Sequence, residues 1–152
     1  MMYSLEEFEK IDKMKSKVLK YILYKKRTEQ EIRQKFAGEI EENILEDIIE
    51  ELKENAYIDD YNYIERSINE YTNLKSLSIK EIKYKLYSKG LDSSLIDEYI
   101  YKNIDYLQDY EEKSAHKITS KKRNLMEEEE IKLYLLKKGY KEESIQKALL
   151  QY

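Results

Sequence analysis

The sequence has no cysteine, no proline and no tryptophan, and glycine occurs only three times in 152 residues, at Gly38, Gly90 and Gly139. Without cysteine there are no disulfides, thiolate metal sites or cysteine nucleophiles, and the chain suits a reducing compartment. So few breakers, set among many Glu, Lys, Leu and Ile, favour helix, because those side chains lose little rotamer freedom there. Apolar runs last only a few residues, far short of the roughly 20 that span a bilayer. Residues 1–15 carry Glu6, Glu7, Glu9, Lys10, Asp12, Lys13 and Lys15 where a signal peptide would be apolar. The expectation is a soluble, cytoplasmic protein with no membrane partner. No glycine-rich loop is present to cradle phosphates. His116 is the one histidine. A single imidazole without cysteine makes no zinc site, and nothing is spaced as a nucleophilic triad. His116 therefore reads as a surface or half-buried helix residue. No catalytic residue, cofactor, metal or small-molecule ligand is assigned, and the chain reads as a non-enzyme.

Charged residues make up 39% of the chain and apolar ones 41%. The apolar residues fall at regular spacing, which sets the chain apart from a disordered polyampholyte. The net charge of −4 is uneven. Residues 16–63 hold 8 basic and 12 acidic side chains, residues 64–108 hold 7 of each, and residues 109–152 hold 10 and 9. The chain runs from acidic to mildly basic, so a whole-molecule electrostatic grip on bare DNA is not supported, although there is room for a local basic face.

Three segments align: Glu31-Ile32-Arg33-Gln34-Lys35-Phe36, Glu81-Ile82-Lys83-Tyr84-Lys85-Leu86 and Glu130-Ile131-Lys132-Leu133-Tyr134-Leu135, at spacings of 50 and 49 residues. The offset of 49 also pairs Gly90 with Gly139, Ile96 with Ile145, Asp60 with Asp109 and Tyr61 with Tyr110. A fixed period of this size marks a repeat protein, whose units cover one another's apolar faces. The expected fold is all-α, an array of three tandem three-helix repeats: a charged segment over 1–15 leading into the first helix, then repeats at 16–58, 59–107 and 108–152. In the first repeat Val18, Leu19, Ile22 and Leu23 line one helix. Thr28-x-x-Glu31 is a capping box opening a short second helix with Ile32 and Phe36. Ile44, Leu45, Ile48, Ile49 and Leu52 form the face of a third, which Asn55 ends. The second repeat follows suit with Ile64, Ile68 and Tyr71, the box Ser78-x-x-Glu81, Gly90 as a left-handed helix stop, and Leu95, Ile96, Tyr99 and Ile100. In the third, Gly139 takes the place of Gly90, and Ile145, Ala148 and Leu149 line the last helix. Its first helix, over about 109–124, is the least apolar of the nine and is expected to fray. Tyr57-Ile58 is a short extended link.

Laid side by side, the repeats sort the charged residues. The recurring acid (Glu31, Glu81, Glu130) is, in two of the three units, the return arm of a capping box. The recurring base (Arg33, Lys83, Lys132) lies off the apolar face, and stacked repeats would set it in a row able to meet phosphates or an acidic protein groove. Glu29 and Glu128 stand four residues before Arg33 and Lys132, the spacing of a helical ion pair, while Lys83 lacks one. Lys25-Lys26-Arg27 and Lys121-Lys122-Arg123 sit near the ends of first helices, where cations also complement the helix dipole. These nine basic residues are the candidate partner contacts. The run Glu127 to Glu130 reads as first-turn acids, and Tyr61 and Tyr110 as packing residues at unit junctions.

The run from Leu52 to Ile64, LKENAYIDDYNYI, resembles the "L-K-x-x-G-h-h-D-D-x-x-F-A" signature of the RecX family, in which h is apolar. Ile82 to Leu91, IKYKLYSKGL, is similar to that family's "I-x-x-E-L-x-x-K-G-I". Arg27 to Phe36, RTEQEIRQKF, resembles its "R-S-E-x-E-L-R-x-K-L". Ala56 stands for the usual glycine, Tyr63-Ile64 for Phe-Ala, and Lys85 for a frequent Glu. The resemblance covers about residues 16–152. It implies an elongated, curved helical array that binds in the groove of the RecA–single-stranded DNA filament and limits filament growth, ATP turnover and strand exchange, as a monomer with at most weak DNA contact of its own. Two other readings of the residues stay open: a helical-repeat adaptor for another protein, and a helix-turn-helix DNA binder. The acidic third helix of the first repeat (Glu46, Asp47, Glu50, Glu51, Glu54) argues against the last, because a recognition helix must approach phosphates.

Overall fold

The computed structural model describes residues 3–150, so the outermost ends of the first and last expected segments, 1–2 and 151–152, lie outside the described residues. Those residues form nine helices and no strand: α1 (Leu5–Tyr24), α2 (Glu29–Phe36), α3 (Glu42–Glu54), α4 (Asp60–Leu74), α5 (Ile79–Tyr87), α6 (Ser93–Lys102), α7 (Ile104–Lys122), α8 (Glu128–Lys138) and α9 (Glu142–Leu150). A long helix followed by two shorter ones recurs three times in chain order. No helix among the described residues is long and apolar enough to cross a membrane.

By contacts the described residues divide into two compact units, one holding 3–63 together with 89–91, the other 64–88 together with 92–150. In the first, Val18, Ile22, Ile32, Phe36, Ile40, Leu45, Ile48, Ile49, Leu52 and Ile58 form one buried cluster. Apart from Ile40 and Ile58, which lie in the links on either side of α3, these are the i, i+3, i+4 faces of α1, α2 and α3, so helical period translates into core. Leu23 is 67% exposed and leaves the expected core, since one residue beyond Ile22 turns it about 100° off the buried face of α1. In the second unit Ala115, Ile131, Leu135, Tyr140, Ile145 and Ala148 form a cluster from α7, α8 and α9.

Two helices start earlier than the sequence pattern led one to expect. Helix α1 begins at Leu5, inside the charged N-terminal segment, because Ser4 and Glu7 form a third capping box. Met14 then packs on the unit's core, which ties the charged stretch down. Helix α7 begins at Ile104 rather than near Asp109 and runs unbroken to Lys122. Only Asn103 separates it from α6; its side chain donates to the Tyr99 carbonyl at 2.9 Å, and its own carbonyl accepts from the Leu107 amide at 3.0 Å. The fraying expected for this helix does not occur. Its buried face is Leu107, Glu111, Ser114, Ala115 and Thr119, which keeps helical period with polar residues where an apolar count finds little.

Helix α3 ends in a Schellman turn: the Tyr57 amide donates to the Leu52 carbonyl at 2.8 Å and the Ala56 amide to the Lys53 carbonyl at 3.0 Å. The turn residue, Ala56, has φ +61° and is the one non-glycine in the left-handed region among the described residues. A Cβ there costs about 1–2 kcal/mol. Ala56→Gly is therefore expected to stabilise the chain by about 0.5–1 kcal/mol after the extra chain entropy is subtracted. In circular dichroism melting this corresponds to a midpoint roughly 1–4 °C higher. An unchanged or lower midpoint would show that Ala56 carries no strain.

Candidate functional site

The repeated motif residues build two matching joints. At the start of α2, the Thr28 hydroxyl accepts from the Glu31 amide at 3.1 Å, and the Glu31 carboxylate accepts from the Thr28 amide at 3.1 Å. The same hydroxyl donates to the carbonyl of Lys89, next to Gly90, at 2.9 Å. At the start of α5, Ser78 and Glu81 repeat the reciprocal cap at 3.0 and 3.1 Å. The Ser78 hydroxyl donates to the carbonyl of Lys138, next to Gly139, at 2.6 Å. Thr28 and Ser78 are both fully buried. A carboxylate then takes the next free amide of each helix: Asp60 accepts from Glu29 and Glu111 from Ile79, both at 3.0 Å. Burial raises the Asp60 pKa, partly offset by the Glu29 amide that it accepts. Glu31 and Glu81 are thus structural, spent on helix N-terminal amides that would otherwise be orphaned.

The recurring base is compensated unequally. Arg33 makes a two-pronged contact with Glu46 of α3 at 2.6 and 3.0 Å and a third bond to Glu29 at 3.1 Å. Lys53 joins Glu29 at 2.7 Å, closing a four-residue cluster. Burial raises the Glu29 pKa, but the hydrogen bonds from Lys53 and Arg33 outweigh it and leave the carboxyl below its ordinary range. The hydrogen bond to Glu46 raises the pKa of Arg33, which stays charged throughout. Lys83 has one partner, Asp97 of α6, at 2.8 Å. Lys132 is half-buried and makes no ion pair among the described residues; the position in α9 that corresponds to Glu46 and Asp97 is held by Gln146. From the first repeat to the third, the recurring charge goes from clamped to uncompensated. The partner acids stand 13 and 14 residues away on another helix, beyond the local i, i+4 rule, so only the fold pairs them.

The two basic clusters are partly occupied. Lys25 is exposed, Lys26 bonds the Asn62 side chain, and Arg27 lies 3.9 Å over the Tyr21 ring while donating to the Tyr21 carbonyl. In the other cluster Lys121 is exposed, Lys122 lies 4.2 Å over the Tyr134 ring, and Arg123 caps α9 by donating to the Leu149 carbonyl at 3.0 Å. Arg27, Arg33 and Arg123 are thus bound into the protein, whereas Lys25, Lys121 and Lys132 keep charge to offer.

The remaining features fall where chemistry places them. Glu128, Glu129 and Glu130 occupy the first turn of α8. Tyr110 accepts from the Leu77 amide at 2.8 Å and donates to the Lys75 carbonyl at 2.9 Å, fixing the link before α5. His116 is half-buried on α7, and no group of three metal-ligating side chains occurs among the described residues.

The chain is 33% identical over 150 residues to the regulatory protein RecX of Clostridium beijerinckii, covering 92% of this chain and 68% of the relative. It is 36% identical over 135 residues to that of Clostridium acetobutylicum and 32% over 131 residues to that of Finegoldia magna. It spans 62% and 63% of the length of those two relatives. The crystal structure of RecX from Lactobacillus salivarius superposes with a TM-score of 0.80 at 25% identity, covering 93% of this chain and 95% of the other. No protein-family model matches the chain.

Proposed function

The chain belongs to the RecX family of regulatory proteins, and from that premise we propose that it is a non-enzymatic regulator of the RecA recombinase. In this reading it lies in the groove of the RecA–single-stranded DNA filament and limits filament growth, ATP turnover and strand exchange. The observation that carries the reading is the match to a RecX regulatory protein over 92% of the chain, in which the family's motifs are the residues that build the α2 and α5 joints. The chain's own chemistry supports a steric and electrostatic mechanism: helices locked by buried caps present cations to a partner rather than reacting groups to a substrate.

Among the nine candidate contacts, Lys25, Lys121 and Lys132 are the ones whose charge the fold leaves available, and the last two share the third repeat. Arg33 is a poor probe, because reversing it would set three acids together on α2 and α3. The expected result is that stoichiometric protein suppresses the DNA-dependent ATPase of RecA. Lys121→Glu with Lys132→Glu should weaken that suppression about tenfold or more, the effect of removing about 1.4 kcal/mol from the binding free energy. Helix content, read by circular dichroism, should be unchanged. Full suppression by the double variant would remove these two lysines from the mechanism, and no suppression by the wild-type chain would overturn the function.

A further inference from the structure

Helix α1 carries an apolar stripe that the fold covers only in part. Phe8, Ile11, Met14, Val18 and Ile22 follow one another at steps of three and four residues, the spacing of one helix face. Of these only Val18 and Ile22 are buried. Helix α7 is almost as long, and its buried residues run from Leu107 to Thr119. The first half of α1 borders a groove of about 510 Å³ instead. Ile11, Met14, Tyr3 and, from α3, Ile44 are its apolar lining, all of them half-buried. Met14 and Ile44 also pack on the buried core of this unit, which holds the lining in place. Tyr3 is steadied by an edge-on contact with Phe8, their ring centroids 5.8 Å apart. An apolar concavity with a charged rim is the mark of a surface that another molecule covers.

The rim decides what that molecule is. Glu7, Lys10, Glu39, Glu41 and Asn43 complete the lining. The two segments that form the groove, residues 3–14 and 37–43, together hold seven acidic side chains and two lysines. Glu41 is exposed at the N-cap position of α3 and makes no side-chain cap bond. Glu39 has Lys17 at 3.5 Å, an ion pair open to water on both sides and therefore weak. Such a rim repels nucleic acid and acidic peptides and attracts a cationic partner. The described residues contain no strand, so an extended peptide finds no sheet edge to pair with here. A helix satisfies its own amides and can lay an apolar face into a groove. A cationic helix with an apolar stripe of its own meets both the lining and the rim.

We propose that the groove between the first half of α1 and the start of α3 is a docking site for a cationic amphipathic helix of a partner protein, with the partner's apolar stripe on Ile11, Met14 and Ile44 and its lysines or arginines against Glu39 and Glu41. The site uses none of the nine candidate cations and does not depend on the recombinase reading. The experiment is fluorescence anisotropy of a labelled synthetic helix of leucine and lysine, its leucines at i, i+3, i+4 spacing, titrated with the full chain. A scrambled peptide of the same composition and a leucine–glutamate peptide of the same pattern serve as competitors. The patterned leucine–lysine helix is expected to bind at least tenfold more tightly than either. Tyr3→Ala with Ile11→Ala should weaken it about tenfold or more. Glu39→Gln with Glu41→Gln, both exposed and outside the core, should weaken it about threefold or more and make its salt dependence shallower. Circular dichroism should show wild-type helix content in both double variants. No binding of the patterned helix, equal binding of the scrambled peptide, or wild-type affinity in either double variant would overturn the proposal. Sedimentation of the chain alone tests the other occupant. A monomer is expected, and a dimer that Tyr3→Ala with Ile11→Ala dissociates would assign the groove to a second copy and overturn the proposal.

Discussion

Replacing Glu111 with alanine is expected to lower the unfolding free energy by about 3–4 kcal/mol, a large part of the roughly 5–15 kcal/mol that holds an ordinary domain together. Glu111 is fully buried on α7. One carboxyl oxygen accepts the first amide of α5 from Ile79 at 3.0 Å, and the other accepts the Ser144 hydroxyl of α9 at 2.8 Å. A single side chain thus ties three helices and puts its oxygen where the N-terminal dipole of α5 favours negative charge. Alanine would leave two buried donors without partners, each costing about 1–3 kcal/mol, and a cavity beside them. Glu111→Gln keeps the volume and one acceptor and should cost about half as much. Urea unfolding followed by circular dichroism measures both, and a loss below about 1 kcal/mol for the alanine variant would mean that α5 and α9 are held by other interactions.

Ser78→Ala is expected to cost about 2–3 kcal/mol, more than the roughly 1 kcal/mol of a missing surface cap. The hydroxyl does two jobs in the dry: it receives the Glu81 amide and donates to the Lys138 carbonyl at 2.6 Å. Removing it strands the cap amide and a carbonyl at the end of α8. Ser78→Thr keeps the hydroxyl and copies Thr28, which occupies the same place at the start of α2, so it should restore most of the stability. The same unfolding experiment reads this out; equal destabilisation with threonine would assign the effect to packing rather than to the hydroxyl.

These residues mark what was legible in the sequence. The caps Thr28–Glu31 and Ser78–Glu81 and the apolar faces of α2, α3 and α5 follow local rules of period three to four, and all take the expected form. Glu111 carries no such signal. Its partners are 32 and 33 residues away, and at the level of pattern it reads as one more charge on a weakly apolar helix. For the same reason the pattern makes α7 look prone to fray, although its buried face is intact and partly polar. The start of α1 is obscured by charge: the run of acids and lysines has helix propensity but little apolar period, and the Ser4–Glu7 cap tips it to helix. At the candidate surface, the sequence locates the recurring base but not its compensation. Glu46 and Asp97 come from other helices, so the difference between clamped Arg33 and available Lys132 emerges only once the helices are packed.

The acidic first repeat neutralises its own recurring cation, whereas Lys132 in the third makes no ion pair among the described residues. The direct measurement is equilibrium binding of the labelled chain to RecA–single-stranded DNA filaments, beside free RecA and the DNA alone. Binding to the filament is expected to be at least tenfold tighter than to either component, about 1.4 kcal/mol, and weaker for the Lys121→Glu and Lys132→Glu variant. Equal affinity for filament and bare DNA, or no binding to the filament at all, would contradict it.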